Sequence, residues 1–504
     1  MIKEFAARVF AGLIHIKNQK WIHNPKKAQE DVFKKLISEG SKTKFGIDHE
    51  FDQIETAYLF REKVPIRDYE ELRPYLDEVL KGESDILWPG RPMYYAKSSG
   101  TTSGAKFIPI TADSMPEHIR AAREALLNYI HETGNTNVIR GKHIFLQGSP
   151  VLEDKKGVAL GRLSGIVAHY VPSYLQKNRM QSWETNCIED WETKVEAIVD
   201  ETSKENMTII GGIPSWVQMY FERLSNKFDK PVGDLFPNFS LFVYGGVNFE
   251  PYRGIFKKLI GRIPDSIEFY PASEGFFAYQ DSQKDKGLLL LLNHGIYYEF
   301  IVAETFFEEK KTLHTLEEVQ LGTNYVMIIS TTAGLWRYNI GDTIQFTSKS
   351  PYKIIVSGRI KHFISAFGEH VIVSEVEQAL QQAVESAENE VMIREFTVAP
   401  QVKPDSGLPY HEWFVEFDEE PQNIETFALE IDRAMRQKNI YYEDLISGNV
   451  LRPLVIQKVS KDGFQNYMKS IGKLGGQNKV PRVSDNRKIA NALTPFISSL
   501  SELK

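Results

Sequence analysis

Cysteine is almost absent from this sequence of 504 residues, which contains one, Cys187. A single cysteine closes no disulfide within the chain and builds no thiolate metal cage. We expect Cys187 to pack as a small apolar side chain, as free cysteines commonly do. The scarcity of cysteine favours a reducing compartment, so we expect a cytoplasmic protein.

Long apolar runs and an excess of basic charge are lacking as well. One of the most apolar stretches, residues 287–292, is far shorter than the roughly 20 residues that span a bilayer. At the N-terminus apolar residues recur at helical spacing, but Glu4, Arg8 and Lys17 interrupt them, which favours an amphipathic surface helix over a signal peptide. The formal net charge of -7 argues against a polyanion as the main partner. We therefore expect neither membrane insertion nor nucleic-acid binding.

The sequence does contain enough apolar material for large cores. Hydrophobic residues make up 42% and charged residues 25%, which is typical of a compact globular protein in water. A chain of this length is expected to form about two to four domains. Between residues 24 and 87 the apolar residues recur with helical spacing, so we predict a mostly helical section over residues 1–90.

The pattern changes beyond residue 93. Short apolar strands alternate there with longer amphipathic segments, as in α/β proteins. After about residue 356 the order becomes helix, strand, strand, helix, which predicts a small α+β domain. We therefore predict an α/β fold with a large multi-sheet N-terminal domain, residues 1–357, and a smaller C-terminal domain, residues 358–504.

The segment 98–106, SSGTTSGAK, has a composition that suits a polyphosphate. Glycines let backbone N–H groups approach phosphate, hydroxyls donate hydrogen bonds, and Lys106 adds a positive charge. The Walker spacing is excluded, because three residues separate Gly100 from Gly104 and Ala105 precedes the lysine. Residues 107–110 are aromatic or β-branched and include a proline, which predicts a strand and not a phosphate-capping helix. The alternatives at this point are a phosphate loop between two strands and a plain surface hairpin.

A loop of this kind between two strands resembles the signature of the adenylate-forming superfamily of acyl-CoA ligases, luciferases and peptide-synthetase adenylation domains. The resemblance implies that the loop binds the triphosphate of ATP. It also implies a small C-terminal domain that is mobile about a hinge near residues 358–361. The implied loop ligands are Ser98, Ser99, Gly100, Thr101, Thr102 and Lys106.

Two further segments follow in the order that the superfamily uses. Gly245 and Gly246 end a predicted strand, where a backbone without side chains can lie flat against a planar base; the alternative is a tight turn. In FYPASEG, residues 269–275, the resemblance places Tyr270 and Ser273 on the nucleotide and Glu274 on Mg²⁺. One glutamate suffices for a phosphate-bound Mg²⁺, whereas the alternative is a helix that Ser273 caps.

The last two segments are WRYNIGD, residues 336–342, and SGRIKHF, residues 357–363. The first resembles the element in which an aspartate, here Asp342, accepts both ribose hydroxyls, as a carboxylate with two acceptor oxygens can. Taken alone, it reads as an ordinary turn. The second resembles the hinge, where Arg359 would approach the ribose and Lys361 would mark the pivot of the small domain.

Longer phrases resemble one branch, the auxin-responsive (GH-three type) acyl acid amido synthetases, over most of the chain. They are TIIGGIPSW, residues 208–216, and KVPR, residues 479–482. The chain is shorter than the plant members, has Pro271 within the glutamate segment and keeps the hinge motif around Arg359. We therefore identify a microbial-type or divergent member and transfer no acyl-pocket residue from plants.

The resemblance implies an AMP-forming acid–amino acid ligase that uses ATP and Mg²⁺, with a small carboxylic acid and an amino acid as substrates. Lys479 would swing in during adenylation, with Lys473 as the alternative. An acyl-CoA ligase is the second interpretation, and a non-enzymatic nucleotide sensor is a third. Residues 167–174 and 216–221 either line an apolar acyl pocket or pack in the core. We expect a monomer.

Overall fold

The computed structural model describes residues 2–98, 106–170, 178–285, 287–308, 311–360, 364, 366, 369, 371–475 and 478–498. The chain forms two compact units. Unit 1 comprises Met1–Ile213, Leu235–Val247 and Pro264–Val356, and unit 2 comprises Pro214–Asp234, Asn248–Ile263 and Ser357–Lys504. Two short pieces from the middle of the sequence thus join unit 2. The domain boundary at residues 357/358 stays a prediction.

The helices of the described residues carry these bounds: α1 Ile2–Ile22, α2 Pro25–Gly40, α3 Lys44–Asp48, α4 Ala57–Lys63, α5 Tyr69–Lys81, α6 Met115–Thr133, α7 Leu163–Ala168, α8 Trp183–Cys187, α9 Trp191–Thr202, α10 Pro214–Phe228, α11 Val232–Leu235, α12 Arg253–Ile260, α13 Val373–Ser386, α14 Ile424–Lys438, α15 Ile440–Ser447, α16 Gly463–Ser470 and α17 Lys488–Leu493. Within the described ranges, every helix is too short or too polar to span a bilayer.

The strands carry these bounds: β1 Tyr94–Ser98, β2 Lys106–Ile110, β3 Lys142–Phe145, β4 Glu153–Lys155, β5 Val158–Gly161, β6 Met207–Gly211, β7 Leu241–Gly245, β8 Asp265–Ala272, β9 Gly275–Gln280, β10 Leu288–Leu290, β11 Ile296–Val302, β12 Leu313–His314, β13 Asn324–Thr331, β14 Tyr338–Lys349, β15 Tyr352–Arg359, β16 Met392–Gln401, β17 Tyr410–Glu419 and β18 Val455–Val459. The strand predicted over residues 107–110 is therefore confirmed as part of β2.

Helix ends in the N-terminal part follow local chemistry. In α5, Asp68 accepts from the backbone N–H groups of Glu70 and Glu71, and the Glu71 carboxylate accepts from the Asp68 N–H. This capping box satisfies donors that a helix start leaves unpaired. The helix ends at Gly82, whose φ of +96° is left-handed and favours glycine.

Unit 1 contains two sheets. The larger one has eleven strands in the order β12-β11-β13-β14-β15-β10-β9-β8-β7-β6-β3, and the smaller one has four in the order β2-β1-β5-β4. Strands β3, β6, β7 and β8 pair in parallel. All five residues of β6 are buried, as expected for a parallel strand that is covered on both faces.

One apolar core joins the two sheets of unit 1 with the helices α2 to α5. Trp336, which is fully buried, lies near its centre and donates from its indole N–H to the carbonyl of Leu87 at 3.0 Å. A Cβ atom on Gly40 would come within 2.6 Å of the Trp336 ring, so glycine is needed there for the helix to pack closely. The helical section and the sheets therefore form a single folding scaffold.

Unit 2 is built around the sheet β16-β17-β18, in which β16 and β17 are antiparallel and β17 and β18 are parallel. Helices α13 and α14 pack with this sheet around Trp413, which is fully buried. The helix predicted over residues 424–438 is confirmed as α14. Together the two units have the predicted α/β class, with a large multi-sheet unit and a smaller α+β unit.

Candidate active site

Two of the predicted segments follow neighbouring parallel strands of unit 1. Strand β7 ends at Gly245, which lies opposite Phe269 on β8, and β8 ends at Ala272. Ligands of α/β sheets bind at the carboxyl ends of parallel strands, because the loops there are free to surround them. The two glycine positions and the Ser273–Glu274 turn therefore lie at the edge where such a site is expected.

Gly245 occupies a position that tolerates no side chain. A Cβ atom there would lie 2.4 Å from the carbonyl oxygen of Phe269, which is backbone and cannot swing away. The next residue, Gly246, has a φ of +74°, which favours glycine. The structure is compatible with both alternatives for this pair, a tight turn and a flat surface for a planar base. The chain turns at Gly246, and the two glycines expose backbone that carries no side chain.

Ser273 and Glu274 form the two-residue turn of the hairpin β8/β9, because Ala272 pairs with Gly275 across it. The alternative in which Ser273 caps a helix is wrong, since the next element is a strand. Both side chains of the turn are half-buried. The glutamate is thus held at the end of a rigid hairpin.

Asp342 stands in an irregular part of β14. Asn339 pairs with Ile328 and Thr343 with Val326, so three residues of β14 oppose one residue of β13. Such a bulge re-aims side chains. The φ of Gly341 is +84°, and its N–H donates to the Asn339 side chain at 2.9 Å.

The Tyr270 hydroxyl donates to the Asp342 carboxylate at 2.7 Å, and both residues are buried. Three strands, β15, β10 and β9, lie between their strands in the sheet. A flat sheet would separate β8 and β14 by about 19 Å, farther than these two side chains reach. The sheet must therefore curl, and this curl brings together two of the predicted nucleotide ligands.

The structure describes the two ends of the predicted phosphate loop. Ser98 and Lys106 face each other as the last pair of the antiparallel strands β1 and β2. The ammonium of Lys106 lies 5.4 Å from the ring centre of Tyr69, a distance at which cation and ring attract. Ser99, Gly100, Thr101 and Thr102 lie outside the described residues.

Tyr69 is a residue that sequence reasoning missed. Its hydroxyl oxygen accepts from the backbone N–H of Phe107 at 3.0 Å, which ties the start of α5 to the start of β2. Burial raises the pKa of Tyr69, so the hydroxyl stays neutral. The only signal in the sequence is an aromatic residue at a helix start. That signal does not predict contact with the β1/β2 hairpin, which is distant in sequence.

The hinge and lysine predictions fall in unit 2. Arg359 is the last residue of β15 and is exposed, and Lys361 lies outside the described residues. Lys473 and Lys479 are both exposed. The structure therefore leaves the choice between the two lysines as predicted, with Lys479 preferred.

The segment that carries Lys479 is anchored beside β16. The N–H of Val398 donates to the Arg482 carbonyl at 2.9 Å, and the Thr397 hydroxyl donates to the Pro481 carbonyl at 2.6 Å. The Arg482 guanidinium pairs with the Glu395 carboxylate. Because backbone and side chain both hold it, this segment presents its lysine from a fixed base.

A largely buried carboxylate lies close to this segment. Glu377 on α13 accepts from the Asn248 amide at 3.0 Å and lies 3.7 Å from the Arg482 guanidinium. Burial raises the pKa of Glu377, and the charges of Arg482 and Lys479 oppose that rise. Glu377 therefore contributes to the field around Lys479.

The same unit has an open cleft of about 60 Å³. Trp216, Phe464 and Met468 line it together with Lys479. Trp216 was predicted to line an acyl pocket or to pack in the core. Tyr220 and Phe221 on the same helix, α10, are fully buried, so core packing is the correct interpretation for them.

Within the described ranges, no three His, Cys, Asp or Glu side chains gather into a metal site. A Mg²⁺ ion that is bound with ATP phosphates needs only one or two protein carboxylates. The half-buried carboxylate of Glu274 at the hairpin tip fits that requirement.

Comparisons with known proteins were made with these positions at hand. Three family models match the chain: the GH3 family N-terminal domain over residues 16–186, the GH3 family central domain over residues 289–359 and the GH3 family C-terminal domain over residues 374–488. Together they span more than half of the sequence.

Two curated relatives show how low the sequence identity is between this chain and plant members of the family. A jasmonoyl–L-amino acid synthetase of Nicotiana attenuata, JAR6, is 23% identical over 90% of this chain and 90% of its own length. The indole-3-acetic acid-amido synthetase GH3.3 of Arabidopsis thaliana is 22% identical over 90% of this chain and 88% of its own length. The predicted function class, acid–amino acid ligation, is the activity for which both relatives are named.

Solved structures bear on the fold. The GH3.15 acyl acid amido synthetase matches with a TM-score of 0.79 at 16% identity, covering 97% of each chain. A 2-hydroxyisobutyryl-CoA ligase in the postadenylation state matches with a TM-score of 0.59 at 13% identity, covering 94% of this chain and 92% of its own. The predicted adenylate-forming architecture is thereby confirmed. The roles of single residues stay predictions.

Proposed function

The chain belongs to the GH3 family, as its motifs predict, and from this premise we propose that it is an ATP-dependent, AMP-forming acid–amino acid ligase. In the first half-reaction a carboxylate oxygen of the acid bonds to the α-phosphorus of ATP while the bond to pyrophosphate breaks. In the second, the amine of an amino acid bonds to the acyl carbon, AMP leaves with the electron pair of the broken bond, and the amine loses a proton.

The observation that carries the proposal is the hydrogen bond of 2.7 Å between Tyr270 and Asp342. These residues come from two motifs that lie 72 positions apart, and the same family resemblance assigns both to the nucleotide. A carboxylate that accepts from a tyrosine with one oxygen keeps further lone pairs for the hydroxyls of a ribose. The two motifs thus meet near the carboxyl end of β8, where ligands of such sheets bind, which supports a shared nucleotide site.

The chemistry needs positioning and charge neutralisation and no protein nucleophile. We infer that Ser98, Lys106 and the residues between them hold the phosphates, and that Gly245 and Gly246 leave room for the adenine. Tyr270, Ser273 and Asp342 would hold the α-phosphate and ribose. In the small domain, Arg359 would approach the ribose, and Lys361 would act as the pivot.

Two charged groups would act on the reacting atoms. Lys479, on its anchored segment, would place a positive charge on the oxygens of the acyl and α-phosphate groups during adenylation. Glu274 would hold Mg²⁺, which when bound neutralises charge on the phosphate oxygens. The scarcity of cysteine supports a cytoplasmic location for this enzyme.

The test measures the two half-reactions separately. A panel of aryl, indole and fatty acids is screened for acid-dependent exchange of pyrophosphate into ATP, and the best acid is then offered amino acids or coenzyme A. We expect exchange with at least one acid and an amide product by mass spectrometry. A thioester in place of the amide would establish the acyl-CoA ligase instead, and nucleotide binding without any turnover would establish a sensor.

Glu274→Ala is the matching variant. We expect it to lower exchange by at least about a hundredfold, because removing one electrostatic contact in a reaction centre costs about 3 kcal/mol. The matched control is Glu388→Ala, an exposed glutamate in unit 2. Exchange at the level of the control would refute the role of Glu274.

A further inference from the structure

Helix α1 has one face fixed to the rest of unit 1. Asn18 is buried and donates to the Glu124 carboxylate on α6 at 3.0 Å, and the rings of His15 and His131 stack with centres 4.0 Å apart. At the start of the helix, Glu4 pairs with Arg140 at 2.7 Å. The first two contacts hold α1 against α6, and the third ties the start of α1 to Arg140, which lies beyond the end of α6.

The opposite face of α1 is apolar and exposed. Residues at spacings of four, four and three share one face of a helix and form a continuous line along it. The members of this line and their exposed fractions are Phe5 72%, Val9 47%, Leu13 59% and Ile16 63%, and Phe10, 46% exposed, borders it. We call these five residues the α1 crest. Large contiguous patches of exposed apolar side chains mark protein or membrane interaction sites.

The charges on α1 have one sign outside its packed face. Lys3, Arg8, Lys17 and Lys20 are all exposed, and Arg8 also donates from its guanidinium to the Gly134 carbonyl at 3.0 Å; the single acidic residue of the helix is Glu4. Glu4 is engaged by Arg140, so it does not offset these cations. The crest is therefore bordered by positive charge in a protein whose formal net charge is -7.

We propose that the α1 crest docks on an anionic lipid surface. An amphipathic helix that lies in a membrane interface buries an apolar face at the level of the headgroups and pairs its lysines and arginines with lipid phosphates. The crest supplies the apolar face and the four cations supply the pairing. The helix lies on the membrane and does not span it.

A second copy of this chain is the competing occupant, and charge disfavours it. Two crests packed together would bring eight cations to one interface, while each Glu4 is held by its own Arg140. Like charges at an interface without counter-charges oppose association. Lipid phosphates supply the missing negative charge, which a second crest does not.

The test is vesicle co-sedimentation of the full-length protein. Vesicles of phosphatidylcholine with phosphatidylglycerol are compared with vesicles of phosphatidylcholine alone, at low and high salt. We expect binding to the anionic vesicles, weakened by salt because exposed charge pairs are screened. Leu13→Asp/Ile16→Asp should lower the partition coefficient at least about tenfold, since a charge in the interfacial face removes the apolar contact.

Matched controls separate the crest from exposed apolar residues in general. Ile47→Asp and Ile440→Asp change side chains that are 69% and 70% exposed on α3 and α15, and both variants should bind vesicles like the wild type. Lys3→Glu/Lys20→Glu should lower binding to anionic vesicles alone. Circular dichroism checks that each variant is folded.

Three results would overturn the proposal. One is the absence of sedimentation with anionic vesicles, and another is equal sedimentation of the crest variant and its controls. The third is a dimer in solution that Leu13→Asp/Ile16→Asp dissolves, without any binding to vesicles, which would assign the crest to a second copy.

Discussion

The hydrogen bond between Tyr270 and Asp342 offers the sharpest test of the candidate site, because the two residues have separable tasks. Asp342→Asn keeps an acceptor for the tyrosine but removes the charge. Tyr270→Phe keeps the charge but removes the donor. The double variant completes a thermodynamic cycle that measures the coupling between the two side chains.

The expected size of the effects on stability follows from the burial of this hydrogen bond. Tyr270 is 7% exposed and Asp342 is 8% exposed, so their bond of 2.7 Å is shielded from water. A hydrogen bond to a charged group contributes about 1.5–3 kcal/mol. We expect Tyr270→Phe to lower the free energy of unfolding by that amount, and Asp342→Asn by about half, because a neutral acceptor bonds less strongly.

The KM for ATP should respond in the reverse order to stability, with the larger effect from Asp342→Asn. If the charge of Asp342 binds the ribose, its loss should raise the KM for ATP about 10- to 150-fold, the equivalent of 1.5–3 kcal/mol. Tyr270→Phe should raise that KM less, since the carboxylate remains. Pyrophosphate exchange measures the KM, and urea denaturation measures stability.

Tyr58→Phe is the control, since Tyr58 is 68% exposed on α4. Additive effects of the two substitutions on stability would refute the hydrogen bond, because residues in contact couple. An unchanged KM for ATP in Asp342→Asn, with exchange present, would refute the nucleotide role of Asp342.

Two further predictions concern backbone approach and pH. Gly245→Ala should lower the free energy of unfolding by about 1–3 kcal/mol, because its Cβ would lie 2.4 Å from the Phe269 carbonyl oxygen. The control, Gly12→Ala, places its Cβ in open space and should not destabilise the protein. Equal melting temperatures of the two variants would contradict this prediction. Burial raises the pKa of Glu416 from 4.5 to about 7. As the pH rises, the Glu416 carboxyl therefore loses its proton in the unfolded chain before it does in the folded protein, and the free energy of unfolding falls by about 3 kcal/mol between pH 4.5 and 7. Glu416→Gln should remove that fall, as hydrogen exchange in β17 would show, while Glu388→Gln should not.

Local patterns predicted many of the elements. Helical spacing located α14 at its observed bounds, and the β-branched and aromatic residues after the predicted phosphate loop located β2. Such predictions succeed because side-chain periodicity is set by neighbours within a few residues. The exclusion of a Walker loop also rested on local patterns, since the glycine spacing differs and a Walker loop requires a helix where β2 stands.

The turn at Ser273 shows where local patterns mislead. A serine followed by a glutamate suits a helix start and also a hairpin tip, because both leave backbone donors near a polar side chain. Pairing of Ala272 with Gly275 decides between them, and that pairing depends on the strands of the larger sheet. The contact of Tyr69 with the hairpin was invisible for the same reason, since it joins elements far apart in sequence.

The sequence by itself determined the class of fold and the family, and it predicted the order of the candidate nucleotide motifs, because each depends on residue types within short segments. Only the tertiary structure decided that the sheet curls enough for Tyr270 to reach Asp342, that Tyr69 lies beneath Lys106, and that α10 and α12 belong to unit 2. These facts depend on packing between segments that are remote in sequence. No local pattern of residues encodes the curvature of an eleven-stranded sheet.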